Sequence, residues 1–206
     1  MYHSQFDQDK YVAEQIYPGK RDGVFVDLGA FDGVIISNTL FFEQELGWTG
    51  LCVEPVPAVF ARLRANRACA CAQVAVADAD GELEMDSPEG SLAVLSSFRA
   101  SADPRHTRRL RRESAEQSLA VRTIRVPVRA VTPLLLEHGL RRVDYLSIDV
   151  ESAELPILRS LDFDAISVGC IGVENDYHGD AIEKILVPRG FRKVGVVGCD
   201  EFYLRP

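Results

Sequence analysis

The chain lacks any apolar run approaching the about 18 residues of a membrane span, and it opens on a polar stretch, MYHSQFD, that does not read as a signal peptide. The expectation is a cytoplasmic protein with no membrane span. Its five cysteines, Cys52, Cys69, Cys71, Cys170 and Cys199, are odd in number and form no Cys-x-x-Cys pair, which argues against a zinc site and a disulfide framework. Cys52 and Cys170 sit inside apolar runs, where a thiol acts as a small hydrophobe. Basic residues are also too few for a nucleic-acid partner held through its phosphates: 23 Lys and Arg against 31 Asp and Glu leave a formal net charge of −8. Neither an internal repeat nor a low-complexity tract is present. What remains, 206 residues with 47% hydrophobic and 26% charged side chains, is the make-up of one soluble α/β domain with a sizeable core, and it excludes disorder, collagen and coiled coil.

Short apolar runs at 24–28 (VFVDL), 51–54, 72–77, 144–150 (DYLSIDV) and 166–174 alternate with helical patterns at about 38–47, 57–66, 132–139, 153–161 and 180–189. Strands this apolar are covered on both faces, so the order predicts a parallel sheet with helices on either side. After Pro188 and Gly190, FRKVGVVG and EFYLRP are separated only by Cys199 and Asp200, too short a link for a crossover helix. An antiparallel hairpin at the C-terminal edge is expected. Residues from about 86 to 120 break the rhythm with few large apolar side chains and a cluster of Arg99, Arg105, Arg108, Arg109, Arg111 and Arg112. This segment reads as an insertion in the single domain 1–206, either a solvated helix face or a lid over the substrate.

The first strand runs into Asp27-Leu28-Gly29-Ala30-Phe31-Asp32-Gly33, with Ser37 or Asn38 placed to cap the next helix. Gly29 allows a tight turn and Gly33 a close strand-to-helix approach, but the middle glycine of G-x-G-x-x-G is missing. Asp27 and Asp32 would repel a dinucleotide pyrophosphate and attract a ligand carrying an ammonium and a sulfonium, such as S-adenosylmethionine. Glu54 follows 21 residues after Gly33, where doubly wound folds place the carboxylate that holds an adenosine ribose, although a surface glutamate could also end this strand. Ala30, Ser37, Asn38 and Pro55 belong to the same expected cofactor surface, and Asp78 offers a contact to adenine or a plain turn. The fourth strand delivers Asp149, Glu151 and Glu154, and the fifth Glu174, Asn175 and Asp176. Asp149, Glu174 and Asn175 could hold Mg²⁺ through oxygen atoms or could cap helices. For proton uptake near neutral pH, His178 is the candidate by its ordinary pKa, with Asp149 and Glu151 as competitors and Asp149 also facing the cofactor.

Taken together, SQFDQD at 4–9, FVDLGAFDGVIISNT at 25–39, LGWTGLCVEP at 46–55, DYLSIDVESAE at 144–154, IGVEND at 171–176 and the terminal DEFYL resemble the FkbM family of S-adenosylmethionine-dependent methyltransferases over nearly the whole chain. The resemblance implies the class I methyltransferase fold, a Rossmann-like three-layer α/β sandwich whose mostly parallel seven-stranded sheet has its last strand antiparallel. It implies O-methylation of a small-molecule hydroxyl, on a sugar or a secondary metabolite, and it places Gln8 and Asp9 over the cofactor. The family usually has glycine where Ser152 stands. Asp149 with Glu174 and Asn175 is also similar to the metal-dependent small-molecule O-methyltransferases, whose catalytic base would fall at Ser152. A protein that binds S-adenosylmethionine without methyl transfer, and a nucleotide-dependent oxidoreductase or epimerase, remain as alternatives.

Overall fold

The computed structural model describes residues 1–151, 153–177 and 179–205, so Ser152 and the candidate base His178 lie outside the described residues. The chain opens with α1 (Gln8–Tyr11), which runs on as a π turn over Val12–Ile16, then forms β1 (Val24–Leu28), α2 (Leu40–Leu46), β2 (Thr49–Val53), α3 (Pro57–Asn66) and β3 (Ala70–Ala72). Next come β4 (Ala75–Ala77), β5 (Gly81–Pro88), a 3-10 turn (Gly90–Leu95), β6 (Ser97–Phe98), α4 (Pro104–Glu116) and β7 (Val121–Ala130). The chain closes with α5 (Val131–Glu137), β8 (Arg142–Ile148), α6 (Glu154–Ser160), β9 (Ser167–Glu174), α7 (Ala181–Leu186), β10 (Arg192–Val197) and β11 (Asp200–Leu204).

Seven strands form the main sheet in the order β10-β11-β9-β8-β1-β2-β3. The pairs between β9 and β3 are parallel, and β11 runs antiparallel to both β9 and β10. The expected C-terminal hairpin is therefore present, with its second strand inserted inside the first. Side chains alternate across the sheet as a strand covered on both faces requires. Val26, Leu28, Leu146 and Ile148 enter one core, while Phe25 and Tyr145 enter a second one with Phe42, Trp48, Cys52, Cys170 and Phe202. The strand order reverses between β1 and β8, and the carboxyl ends there open a crevice, the usual ligand position in such sheets.

The run at 72–77 departs from expectation: it is not one strand. Ala70–Ala72 completes the main sheet, and Ala75–Ala77 turns away to pair in parallel with Val128–Ala130 of β7. The cause is a second sheet, β4-β7-β5-β6, built on the long antiparallel pair of β5 with β7. The edge of β7 recruits β4, and Met85, Phe98, Val126 and Val128 join the same core as Val26 and Leu28. The segment around 86–120 thus forms part of a sheet and the helix α4. Asp103 starts that helix by accepting the Arg105 N–H at 2.7 Å, and His106, Leu110 and Ser114, spaced four apart, are its buried face.

Where β1 and β8 end, Gly29 has φ +88°, and a Cβ there would stand 1.8 Å from the Asp149 carbonyl oxygen. Gly139 has φ +73° with nothing within 4 Å of an added Cβ. Both positions carry the conformational penalty of an L-residue in the left-handed region, but only Gly29 adds overlap. Gly29→Ala is expected to lose about 1 to 3 kcal/mol more than Gly139→Ala in thermal or urea unfolding; equal losses would show that the two strand ends are free to separate.

Candidate active site

The crevice lies between the ends of β1, β2 and β8 and the second sheet. Of the residues expected to contact a cofactor, Asp27, Gly29, Ala30, Ser37, Asn38, Glu54, Pro55 and Asp149 line it, as does Glu151. Met85, Ala93, Val94, Ser96 and Phe98 make the opposite wall, a contribution of the second sheet that the strand and helix patterns did not reveal. Phe31, Ile36 and Glu151, all at the cavity, have left-handed backbone at φ 48°, 51° and 54°. Strain of this kind in bulky residues persists only where the surroundings enforce it, and it collects at functional sites.

Five expected contacts lie elsewhere. Asp32 Oδ1 accepts the N–H groups of Val34 and Ile35 at 3.0 and 2.9 Å, so its carboxylate shapes the loop and is not on the cavity wall. Gly33 serves close packing, because a Cβ would meet Arg67 and Leu63 of the α3 region at 2.7 Å. Gln8 Nε2 donates to Asp200 Oδ2 at 2.7 Å, which ties the N-terminal segment to β11. Asp78 is exposed after β4 and does not line the cavity. Asp9 is fully buried and accepts from His3 N and Ser4 Oγ, organising its own turn.

Each carboxyl group at the crevice meets its charge differently. Asp27 is buried and accepts the Thr39 hydroxyl at 2.6 Å, while Arg67 donates to that hydroxyl at 3.1 Å and pairs with Glu43 at 3.2 Å. Burial raises the Asp27 pKa, and Thr39 and Arg67 oppose the rise. Glu54 accepts the Val56 N–H at 2.7 Å, with Phe31 N–H as a further donor, yet burial pushes it up to about 8. Asn38 Nδ2 donates to Ser147 Oγ at 3.1 Å and its Oδ1 is buried without a partner, an acceptor waiting for a donor from the cavity. Burial and mutual repulsion raise both Asp149 and Glu174, with Glu151 contributing to each. Asp200, bonded to Gln8, is raised to about 6, chiefly by burial.

The expected Mg²⁺ ligand set is not favoured by this arrangement. Asn175 Nδ2 donates to Gly179 O at 2.8 Å and the amide also bonds Glu201, so the side chain closes its own turn. Among the described residues, the Asp, Glu, His and Cys donor atoms close enough to share an ion are those of Glu174, Asp176 and Cys199. A thiol in place of a third oxygen is poor chemistry for Mg²⁺, which takes oxygen ligands, and Asp176 already faces Arg109 at 3.6 Å.

Two further residues were not singled out from the sequence. Arg67 braces the loop from Gly33 to Thr39, and nothing in the local pattern separates this residue, just past the end of α3, from Arg62 and Arg64 on the helix. His106, in the arginine cluster, lies with Nδ1 3.0 Å from Glu151 Oε2 and Nε2 3.0 Å from Leu95 O. Its spacing from Leu110 was the available signal.

A family model described as the methyltransferase FkbM domain matches residues 27–193. The chain belongs to the FkbM methyltransferase family. Among solved structures it is similar to the methyltransferase FkbM from Methylobacillus flagellatus KT, with a TM-score of 0.52 and 11% identity, over 96% of this chain and 47% of that one. It thus spans about half the length of that relative. A TehB-like SAM-dependent methyltransferase from Corynebacterium glutamicum gives a TM-score of 0.45 at 8% identity, over 98% of this chain and 89% of that one. The fibrillarin pre-rRNA processing protein of Methanococcus jannaschii gives 0.44 at 13%, over 98% and 74%. No curated protein matches the chain significantly. The fold of this FkbM protein is the class I methyltransferase fold, and the oxidoreductase alternative gives way to the family. No helix among the described residues is long and apolar enough to cross a membrane.

The Glu54 carboxyl gives this FkbM domain a definite pH signature. Its folded pKa, about 8, lies above the ordinary value of 4.5, so the native state holds a proton that the unfolded state has released between those limits. Stability from this group therefore falls as pH rises from 4.5 to 8, by about 1.4 kcal/mol per unit at most. Glu54→Gln is expected to raise the unfolding temperature of the ligand-free protein at pH 8 and leave it unchanged at pH 4.5. A variant no more stable at pH 8 would mean that Glu54 is ionised and solvated.

Proposed function

We propose that the protein is an S-adenosylmethionine-dependent methyltransferase acting on a small-molecule hydroxyl, on a sugar or a secondary metabolite. The observation that carries the reading is Glu54, a carboxyl buried at the end of β2 on the cavity wall, with backbone N–H groups as its donors and capacity left for two hydroxyls. Glu54 would hold the ribose diol, and the apolar side chains of Val74, Val76, Met85 and Phe98 would flank the adenine. Asn38 Oδ1, orphaned at the cavity, would accept from the ammonium of the methionine part, and Asp27 would add negative potential. When bound, the cofactor supplies an electrophilic methyl on a sulfonium: the acceptor oxygen forms the C–O bond as the C–S bond breaks, and sulfur keeps the electron pair.

The chain's own share is alignment and proton handling. Holding two reactants in line can supply about 7 to 11 kcal/mol of a barrier. Among the described residues Glu151 is the best-placed group to take the hydroxyl proton, because it lines the cavity beside a histidine while Asp149 is driven toward its neutral form. The segment 86–120 serves as a cover over the acceptor. Its helix α4 is moored to the loop after β9, where Arg105 donates to Tyr177 O at 3.0 Å and Arg109 faces Asp176.

Isothermal titration should give binding of S-adenosylhomocysteine and no binding of NAD. Glu54→Ala should weaken S-adenosylhomocysteine by about 1.5 to 3 kcal/mol, as expected for a buried hydrogen-bond partner. Unchanged affinity would remove the ribose assignment, and NAD binding without S-adenosylhomocysteine binding would remove the function. Mass and NMR analysis of the methylated product decides between oxygen and other acceptor atoms.

A further inference from the structure

His106 belongs to the inserted helix α4, yet it reaches the catalytic end of the main sheet. The ring is fully buried; Nε2 lies 3.0 Å from the Leu95 carbonyl oxygen and Nδ1 3.0 Å from Glu151 Oε2. The Glu151 contact is an ion pair whose alignment falls short of a directed hydrogen bond, so charge and closeness hold it. Both ring nitrogens thus lie 3.0 Å from an oxygen atom, and beside an ionised Glu151 the doubly protonated imidazolium is the form that turns a proton toward each. Glu151, at φ 54°, is turned by a strained backbone in the same loop that carries Asp149. It therefore has the buried His106 ring on one side and the cavity on the other.

We propose that His106 is a positioning residue: through its ion pair it holds Glu151 as an oriented carboxylate at the point where the methyl group is transferred, so the insertion takes part in the chemistry and not only in covering it. The inference rests on the methyltransferase reading and goes beyond it. The other charges around the ring fit. Arg109 on the same helix opposes protonation but is itself engaged with Glu113 and Asp176, and Tyr177 presents its ring edge-on at 6.5 Å. Burial disfavours the charged ring, Glu151 and the Leu95 carbonyl favour it, and the balance leaves its pKa raised. Asp149 and Glu174 are pushed toward neutral forms in the same crevice, so the acids divide their roles according to which one has a cation.

The test needs no acceptor. Sinefungin carries a protonated amine where the methylated sulfonium would stand, and S-adenosylhomocysteine carries a neutral thioether there, so the ratio of their dissociation constants reads negative charge at the transfer point. By calorimetry at neutral pH, the wild-type protein should prefer sinefungin by about tenfold, roughly 1.4 kcal/mol. Both Glu151→Gln and His106→Gln should bring the ratio close to one while S-adenosylhomocysteine affinity is kept. The double variant should be no different from Glu151→Gln alone, and His106→Lys, which restores a cation without the ring, should recover part of the preference. A His106→Gln protein with the wild-type ratio would overturn the proposal, as would equal weakening of both ligands or a His106→Lys that recovers nothing. If Glu151→Gln leaves the ratio unchanged, Glu151 is not at the transfer point and the proposal fails there. Absence of binding of either ligand to the wild type would overturn the methyltransferase reading itself.

Discussion

The governing constraint is electrostatic. Because β1, β2, β8 and β9 run parallel and end together, Asp27, Glu54, Asp149, Glu151 and Glu174 are delivered to one crevice, with Asp200 joining from β11. Carboxyl groups this close cannot all ionise without partners. The structure resolves the conflict group by group. Asp27 is tied to Arg67 through the Thr39 hydroxyl, Glu151 has His106, and Asp200 has the Gln8 amide. Glu54, Asp149 and Glu174 are left to burial, which favours their neutral forms.

The same constraint explains why the second sheet matters. A crevice open to water would let solvent screen the acids, and none of the large pKa rises would survive. The wall formed by Met85, Ala93, Val94 and Phe98 excludes that water, and it is continuous with the core beneath β1 because Val126 and Val128 pack in the same cluster as Val26 and Leu28. Attachment of the wall is partly apolar and partly ionic. Leu92, Leu95 and Leu110 bury the underside of α4, whereas His106 and Arg109 reach across to Glu151 and Asp176. The cover and the acids are thus mutually dependent: the acids anchor the helix, and the helix keeps them dry.

Most of the main sheet was legible because its strands are apolar runs of a length that periodicity detects, and β1 and α3 fall within the limits the sequence indicates. The split at residues 73–74 was not legible, since Gln73 is the single polar residue in the run 70–77 and the edge of β7 decides where its second half pairs. The second sheet escaped for a related reason. In β5 and β7 the exposed positions are rich in Glu and Arg, such as Glu82, Glu84, Arg122 and Arg125, so the pattern resembles a charged surface loop. In the site, glycine and acid positions at strand ends follow from the pattern, and Gly29 and Glu54 stand on the cavity wall. Asp32 misled because an aspartate that closes a turn and one that faces a ligand have the same sequence context. Long-range partners such as Arg67 and His106 carry no local mark.

The contrast between Asp27 and Glu54 shows what the fold leaves to a ligand. Both are carboxyls at the ends of adjacent parallel strands, both are buried and both line the cavity. Asp27 is given a hydroxyl donor and, behind it, a guanidinium, so its charge is supported by the protein alone. Glu54 receives backbone N–H groups, and its pKa still rises to about 8. A site evolved for stability alone would have supplied Glu54 with a side-chain donor as well, since an unsatisfied buried acceptor costs about 1 to 3 kcal/mol. The unmet capacity of Glu54, together with the orphaned Asn38 Oδ1 on the same cavity, is what a polyhydroxylated, cationic ligand would satisfy. Under the proposed reading, groups that are already desolvated and held in place need no reorganisation when the ligand arrives, and that preorganisation is the source of affinity.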